Sequence, residues 1–182
     1  KVLVVVAEAT EEIEAVATID VLRRAGAEVT VASVANEKQV TCSRGVVLVA
    51  DVLIGEVAEK EFDCIVCPGG MPGAQHLADC PTLSSLLTKH AEMKKIIAAI
   101  CAAPAVVLVP LGLMEKVEGT CHPAFADKLP NGCSEERVVV SNEGKLVTSR
   151  GPGSAIEFAL TLVSLLFGKE KMEGVRGPML VQ

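Results

Sequence analysis

The chain has 182 residues, a formal net charge of −6, no Trp or Tyr and only four Phe. An acidic balance with so few aromatic platforms argues against nucleic acid as the main partner. Half of the residues are hydrophobic, but every apolar run is broken by a charge, Gly or Pro before it reaches membrane-spanning length. A non-membrane protein with a single domain over residues 1–182 and a full core is expected.

In chain order, Val2 to Val6 is a β-branched and Leu run, the signature of a strand buried on both faces. A helix is predicted from about Glu12 to Arg24, with Ile13, Val16, Ala17, Val21 and Leu22 as its apolar face and Gly26 as its stop. Glu28 to Val34 reads as the second strand, and Cys42 to Val49 as a shorter β excursion at an edge. Phe62 to Cys67 is a central strand that ends at Pro68-Gly69-Gly70. Pro81 to Lys94 is a helix with Pro in its first turn. Ile96 to Ile100 is a strand that stops abruptly at Cys101, and Ala105 to Leu111 continues as a helical pattern. Val117 to Cys121 and Arg137 to Val140 are strand candidates, and the turn Asn142 to Lys145 hands over to Leu146 to Thr148. Ser154 to Phe167 is a long apolar helix closed by Gly168. The segment Lys169 to Gly174 and the tail Pro178 to Gln182 follow. Alternating strands and helices predict an α/β fold: a mostly parallel sheet with helices on both faces, in three layers.

In such sheets chemistry collects at the carboxyl ends of the strands. The sharpest feature there is Ile100-Cys101-Ala102. A strand, an abrupt cysteine and a helix have the layout of a nucleophile elbow, which points helix N–H groups at the sulfur and favours the reactive thiolate. Gly70, in the Pro68-Gly69-Gly70 loop, offers an N–H to a developing oxyanion, with the N–H of Ala102 as the second donor and Gly69 as a further oxyanion or substrate-binding candidate. A tight turn needing positive φ explains the same glycines equally well. Glu11 and Glu12 complement a helix N-terminus. Glu14 follows apolar Ile13. On pattern it is one more such acid; pointed across the strand ends it would be desolvated and suited to proton transfer with Cys101. Ser149 to Gly153, including Pro152, closes the last strand and is placed to wall the pocket. Arg24 and Arg44 are anion-site or ion-pair candidates, with surface ion pairs as the plainer reading.

Of the three histidines, His90 sits mid-helix between Lys89 and Glu92 and is expected in solvent. His76 follows the glycine loop without a clear role. His122 ends a strand candidate before Pro123 and is the best partner for Cys101. The cysteines are 42, 64, 67, 80, 101, 121 and 133. An odd count in a chain with an ample core points to a reducing compartment, hence the cytoplasm, with nuclear or mitochondrial pools compatible. No cationic stretch followed by an apolar one opens the sequence at Lys1, though a targeting segment ahead of it would not be visible. Cys64 and Cys67 fall three apart on a strand and so on opposite faces, as structural thiols rather than a metal or redox pair. A metal set of Glu14, Cys101, Cys121 and His122 has no supporting spacing, so no metal is expected.

These residues together resemble the ThiJ/PfpI superfamily, in its parkinsonism-associated DJ-one branch, over essentially the whole chain. The carrying motifs are Glu11-Glu12-Ile13-Glu14, Asp20 to Gly26, Cys42-Ser43-Arg44, Pro68-Gly69-Gly70, Ala98 to Pro104, His122-Pro123 and Thr148 to Gly153. The resemblance implies a flavodoxin-like sandwich that forms a homodimer. It also implies a pocket Cys101 hydrogen-bonded to a protonated Glu14, with His122 as helper and Gly70 and Ala102 as oxyanion donors. The implied activity is that of a glutathione-independent glyoxalase and protein deglycase, acting without a cofactor on methylglyoxal, glyoxal or glycated protein. The implied alternative is a redox sensor and chaperone in oxidative stress, using oxidation of Cys101. A family cysteine after the Cys-Ser-Arg motif is Val49 here, which removes redox schemes through a second thiol at that place. A cysteine peptidase or amidase is the remaining alternative. It is disfavoured because His122-Pro123-Ala124-Phe125 carries no acid to orient the imidazole.

Overall fold

The structure is a computed structural model and describes residues 1–181, so Gln182 at the end of the predicted tail lies outside it. Strand β1 (Val2–Val6) is buried at every position and pairs in parallel with β2 (Val29–Ser33) and β6 (Cys64–Cys67). The main sheet has seven strands in the order β5-β2-β1-β6-β7-β9-β8, with β5 (Val52–Leu53), β7 (Ile96–Ile100), β8 (Val138–Ser141) and β9 (Leu146–Ser149). Only β8 runs antiparallel, against β9. The β excursion predicted before Val49 is a separate antiparallel ribbon of β3 (Gln39–Thr41) and β4 (Val47–Val49).

Alternation along the strands divides the core in two. Leu3, Val5, Ile65, Cys67, Ile97 and Ala99 face one helix layer, formed by α2 (Gly73–Ala78), α3 (Pro81–Glu92) and the helical turn after Cys101. Val2, Val4, Val6, Cys64, Val66 and Ile100 face the other layer, formed by α1 (Glu12–Arg24), α4 (Ala155–Phe167) and α5 (Lys169–Arg176). This is the expected three-layer α/β sandwich. Cys64 and Cys67 lie on opposite faces, and burial drives both thiols upward, Cys67 to about 12. They are inert packing groups.

Helix α1 has the predicted bounds, because both caps are specified. The Glu11 carboxylate accepts from Glu14 N–H (2.8 Å). Gly26 at φ +84° ends the helix as its own N–H reaches Arg23 C=O and Ala27 N–H reaches Leu22 C=O. Its apolar face is the one expected at Val21 and Leu22, which are buried, but not at its start. Ala15, Thr18, Ile19 and Leu22 pack inward with Glu14, whereas Ile13 and Val16 are exposed, at 55% and 47%. The helix carries two apolar stripes, and the one that meets the sheet and α4 starts a residue later than Ile13.

Two further expectations are corrected. Val117 to Cys121 is not a strand and joins none of the seven in the sheet. The segment is tied instead by Thr120 N–H to Thr148 Oγ1 (2.9 Å) and by Ser134 N–H to Gly119 C=O (2.9 Å). His90 is buried, not solvated. It extends the inward stripe of Leu83, Leu86 and Leu87 by one turn, while Lys89 faces out. Burial, aided by the nearby Lys95 charge, pushes its pKa down to about 4, so it is a neutral core residue. The helical pattern at Ala105 to Leu111 is a short wide helix over Pro104–Leu108 that gives way to turns, with Val109 N–H bonded to Pro104 C=O.

Candidate active site

Because β1, β6, β7 and β9 run parallel, their carboxyl ends share one edge. The loop after β1 is closed by Thr10, whose buried hydroxyl accepts from Ala7 N–H (2.8 Å), and it delivers Glu11 as the cap of α1. The loop after β6 is pressed against this corner. Glu11 N–H donates to Gly69 C=O (3.0 Å), and Gly70 sits at φ +88°. A Cβ on Gly70 would stand 2.6 Å from Glu11 N, and one on Gly69 would stand 2.6 Å from Cys101 Cβ and 2.9 Å from Glu14 Oε2. Both glycines are there because backbone must approach that closely.

Glu14 lies one turn into α1 and is fully buried. Its Oε2 accepts from Gly69 N–H at 2.7 Å, and among the described residues its Oε1 has no hydrogen-bond partner. Desolvation raises its pKa to about 7, with the Glu11 charge adding and the Gly69 N–H and the Cys101 side chain opposing. A half-satisfied buried carboxyl is most stable with a proton on the orphan oxygen, where the O–H can donate.

Cys101 occupies the elbow at φ +64°, with its own N–H held by Ser149 C=O (2.9 Å). The side chain is half-buried, while Ala102 behind it is fully buried. With Glu14 ionised, burial, then the Glu14 charge and its contact with the sulfur, push the thiol up to about 12, and the N–H groups of Gly70 and Ala102 pull it down. Two of those three upward causes require an ionised Glu14. The acid and the thiol are therefore one coupled system that does not lose both protons near neutrality. With the proton on Glu14, the repulsion vanishes and the carboxyl becomes a donor to sulfur. The two backbone N–H groups then favour thiolate. Geometry thus joins Glu14, Gly69, Gly70, Cys101 and Ala102. It gives Gly69 a job different from the one expected, since its N–H holds the acid rather than an oxyanion.

His122 enters by its backbone. Its N–H donates to Cys101 C=O (2.8 Å), and its ring Nδ1 accepts from Ala124 N–H (3.2 Å). That second bond supplies the orienter that no acid provides. It leaves the proton of a neutral ring on Nε2, so His122 presents a donor rather than a base. The imidazole is exposed and stands edge-on to Phe125, with ring centroids 6.4 Å apart.

Pro152 lines a cavity of about 320 Å³ together with Pro123, Arg137 and Arg150, beside the His122 segment. The wall behind it is fixed by Ser149 Oγ and Ser154 Oγ, 2.7 Å apart. Arg24 and Arg44, the anion-site candidates, do not line this cavity. Arg24 is paired with Asp20 (2.7 Å) in the last turn of α1, and Arg44 donates its guanidinium to Ser43 C=O (3.1 Å). The Arg44 main chain matters more, since its N–H and the Ser43 hydroxyl both bind the buried Glu12 carboxylate (2.8 Å each). These bonds hold the Glu12 pKa below its usual value against a partial desolvation, and they dock the β3–β4 ribbon on α1. Thr10 and the Glu12–Ser43 contact were not evident from sequence. A threonine one residue ahead of a helix cap was the available signal for the first. A larger cavity, about 710 Å³, lies between α4 and α5 over Leu160 and Met172 and contains none of the residues gathered at Cys101. Among the described residues, no three His, Cys, Asp or Glu side chains are placed to share a metal ion.

A family model for the DJ-1/PfpI family matches residues 1–165. The chain is 45% identical over 182 residues to Protein DJ-1 homolog B of Arabidopsis thaliana, covering all of this chain but 42% of that protein, so it spans less than half of this relative's length. It is 41% identical to the Caenorhabditis elegans protein named glutathione-independent glyoxalase DJR-1.2, over 94% of this chain and 91% of that one. The solved structure of Toxoplasma gondii DJ-1, described as oxidized, superposes with a TM-score of 0.95 at 50% identity, covering 98% of this chain and 97% of that one. The match of fold, sequence and length of alignment establishes that the chain belongs to the DJ-1/PfpI family, in its DJ-1 branch.

Proposed function

We propose that this chain is a glutathione-independent glyoxalase whose nucleophile is Cys101, acting on methylglyoxal and glyoxal and on their protein adducts. The observation that carries the reading is the buried Glu14 carboxyl, half-satisfied and coupled to a half-buried cysteine on a left-handed elbow. The name of the nematode relative supports it.

In this scheme the Cys101 thiolate adds to the aldehyde carbon, and Glu14–H protonates the alkoxide to give a hemithioacetal. The Glu14 carboxylate then removes the proton from that carbon and returns it to the neighbouring one, while the hydroxyl proton passes from the first oxygen to the second; the hemithioacetal carbon becomes a thioester and the ketone carbon a secondary alcohol. The N–H groups of Gly70 and Ala102 and the Nε2–H of His122 are the donors for the oxygen charge. Water hydrolyses the thioester to lactate and frees the thiol. Atoms balance as methylglyoxal plus water to lactate, with no cofactor. The test is lactate release from methylglyoxal without glutathione. Wild type is expected to turn over and Cys101→Ser to fall to background; wild-type turnover in Cys101→Ser sinks the mechanism.

Redox sensing by the same residue is the second reading, favoured by the unpartnered Glu14 Oε1, which as an acid O–H would cap a sulfinate on Cys101. Graded peroxide followed by mass spectrometry is expected to oxidise Cys101 before Cys42, Cys64, Cys67 and Cys80. Equal oxidation of all five rejects it.

The reading includes a homodimer. Exposed Ile13 and Val16 on α1 and Val46, Val47 and Val49 on the adjoining ribbon form an apolar surface that water disfavours. Sedimentation is expected to give a dimer for wild type and a monomer for Val16→Glu. An unchanged dimer in the variant places the contact elsewhere.

A further inference from the structure

Two thiols outside the Glu14–Cys101 pair stand next to each other. Cys121 and Cys133 have their sulfurs 3.8 Å apart, and both are free. They lie on two irregular segments clamped together by Ser134 N–H to Gly119 C=O (2.9 Å) and by the Thr120 hydroxyl to Ser134 C=O (2.7 Å). Neither cysteine belongs to a strand or helix, so closing the gap from 3.8 Å to the ~2.05 Å of a disulfide breaks no ladder. No other two cysteine sulfurs among the described residues are in contact as hydrogen-bond partners.

We infer that Cys121 and Cys133 form a reversible dithiol–disulfide couple beside the Cys101 pocket, closed by hydroperoxides and opened by thiol reductants.

The two thiols have unequal surroundings, which sets the order of events. Cys133 is partly exposed and Cys121 is buried. Cys121 donates to His122 C=O (3.4 Å), and burial together with the neighbouring Cys133 raises its pKa to about 12. Cys133 is the thiol that oxidant reaches. Its sulfur attacks the peroxide O–O bond, giving a sulfenic acid on Cys133 and one alcohol, or water when the oxidant is hydrogen peroxide. Cys121 then attacks the Cys133 sulfur, the S–S bond forms, and the hydroxyl leaves as water with the Cys121 proton. The protein loses two electrons and two protons, and the peroxide takes up both. Placement gives the couple its interest. Cys121 immediately precedes His122, whose N–H holds the Cys101 carbonyl at 2.8 Å, so oxidation is recorded one residue from the pocket without consuming Cys101.

Trypsin distinguishes this from separate oxidation. Cleavage after Lys116, Lys128 and Arg137 puts Cys121 in peptide 117–128 and Cys133 in peptide 129–137. Reduced, folded wild type is treated with a small excess of tert-butyl hydroperoxide, capped with iodoacetamide and digested without reductant. The expected result is a 117–128/129–137 cross-linked species, short of two hydrogens, that accounts for most of both peptides and disappears after dithiothreitol. The same species is expected in Cys101→Ser, because Cys101 takes no part. In Cys133→Ser, Cys121 is expected to be recovered alkylated. Both peptides alkylated singly after peroxide, or each carrying its own sulfinate, overturns the couple. A cross-link from Cys121 to Cys101 in the wild-type protein also overturns it, since it makes the pocket thiol the partner.

Discussion

Replacing Gly69 by alanine is expected to abolish turnover and to destabilise the fold together. The new Cβ has no room: it would stand 2.6 Å from Cys101 Cβ, 2.9 Å from Glu14 Oε2 and 3.0 Å from Ile100 C=O. Two of these neighbours are side chains of the candidate site and the third is the strand that carries the elbow, so none yields without moving Cys101. Forcing a methyl group into a packed site costs about 1–3 kcal/mol, which for a chain of this size lowers Tm by roughly 2–12 °C. The same shift pulls Gly69 N–H off Glu14. A Gly69→Ala protein with wild-type lactate release and an unchanged melting curve would show that the loop is not held against the elbow as described.

The second large effect is a separation of two properties in Glu14→Gln. Glutamine keeps the size of Glu14, accepts from Gly69 N–H and offers an amide N–H to sulfur, but it has no proton to shuttle. Cys101 is therefore expected to remain a reactive thiolate while turnover on methylglyoxal drops by a factor of about 10²–10⁴, the usual worth of a positioned acid–base group. The wild-type pH profile follows from the same pair. The competent state has thiolate and carboxylic acid together, so turnover rises as the first proton leaves the pair and falls as the second leaves. Measuring iodoacetamide alkylation and lactate release side by side across pH checks both. Parallel loss of alkylation and turnover in Glu14→Gln would make Glu14 a determinant of the thiolate rather than a proton carrier.

Much of the frame was legible in the residues. Val2–Val6 and Ile96–Ile100 are apolar at every position because parallel strands are covered on both faces, and the structure gives these bounds unchanged. Cys101 was legible because an apolar strand ending on a cysteine before Ala-Ala-Pro has few other uses. What misled was side selection on helices. Ile13 and Val16 share a stripe with one another, yet Glu14 and Thr18 are the buried residues, because the polar Gly69 N–H makes Glu14 the better filler of that corner. His90 was misread for the reverse reason: its charged sequence neighbours hide the Leu83, Leu86, Leu87 stripe that it continues. Val117 to Cys121 has strand composition, but composition does not show that its backbone is bound by the Thr148 hydroxyl and Ser134 N–H rather than by a neighbouring strand. The direction of a backbone N–H is equally beyond composition. Gly69 and Gly70 are adjacent, yet one amide serves Glu14 and the other serves the sulfur. The Nδ1 contact that orients His122 comes from the next turn of its own backbone, which a search for a partner acid passes over.

The central claim is that the pair holds its proton on Glu14 and not on Cys101. The direct measurement is the pKa of the Cys101 thiol, followed by thiolate absorbance or alkylation rate, in the native protein and in Glu14→Gln. With the proton on the carboxyl, the thiol titrates well below the ~8.5 of a free cysteine in both proteins, and it is higher in Glu14→Gln by about one unit or less, the worth of exchanging one neutral donor for another. A native thiol that stays protonated up to about 12 and falls sharply in Glu14→Gln would place the charge on Glu14 and the proton on sulfur, and would contradict the account.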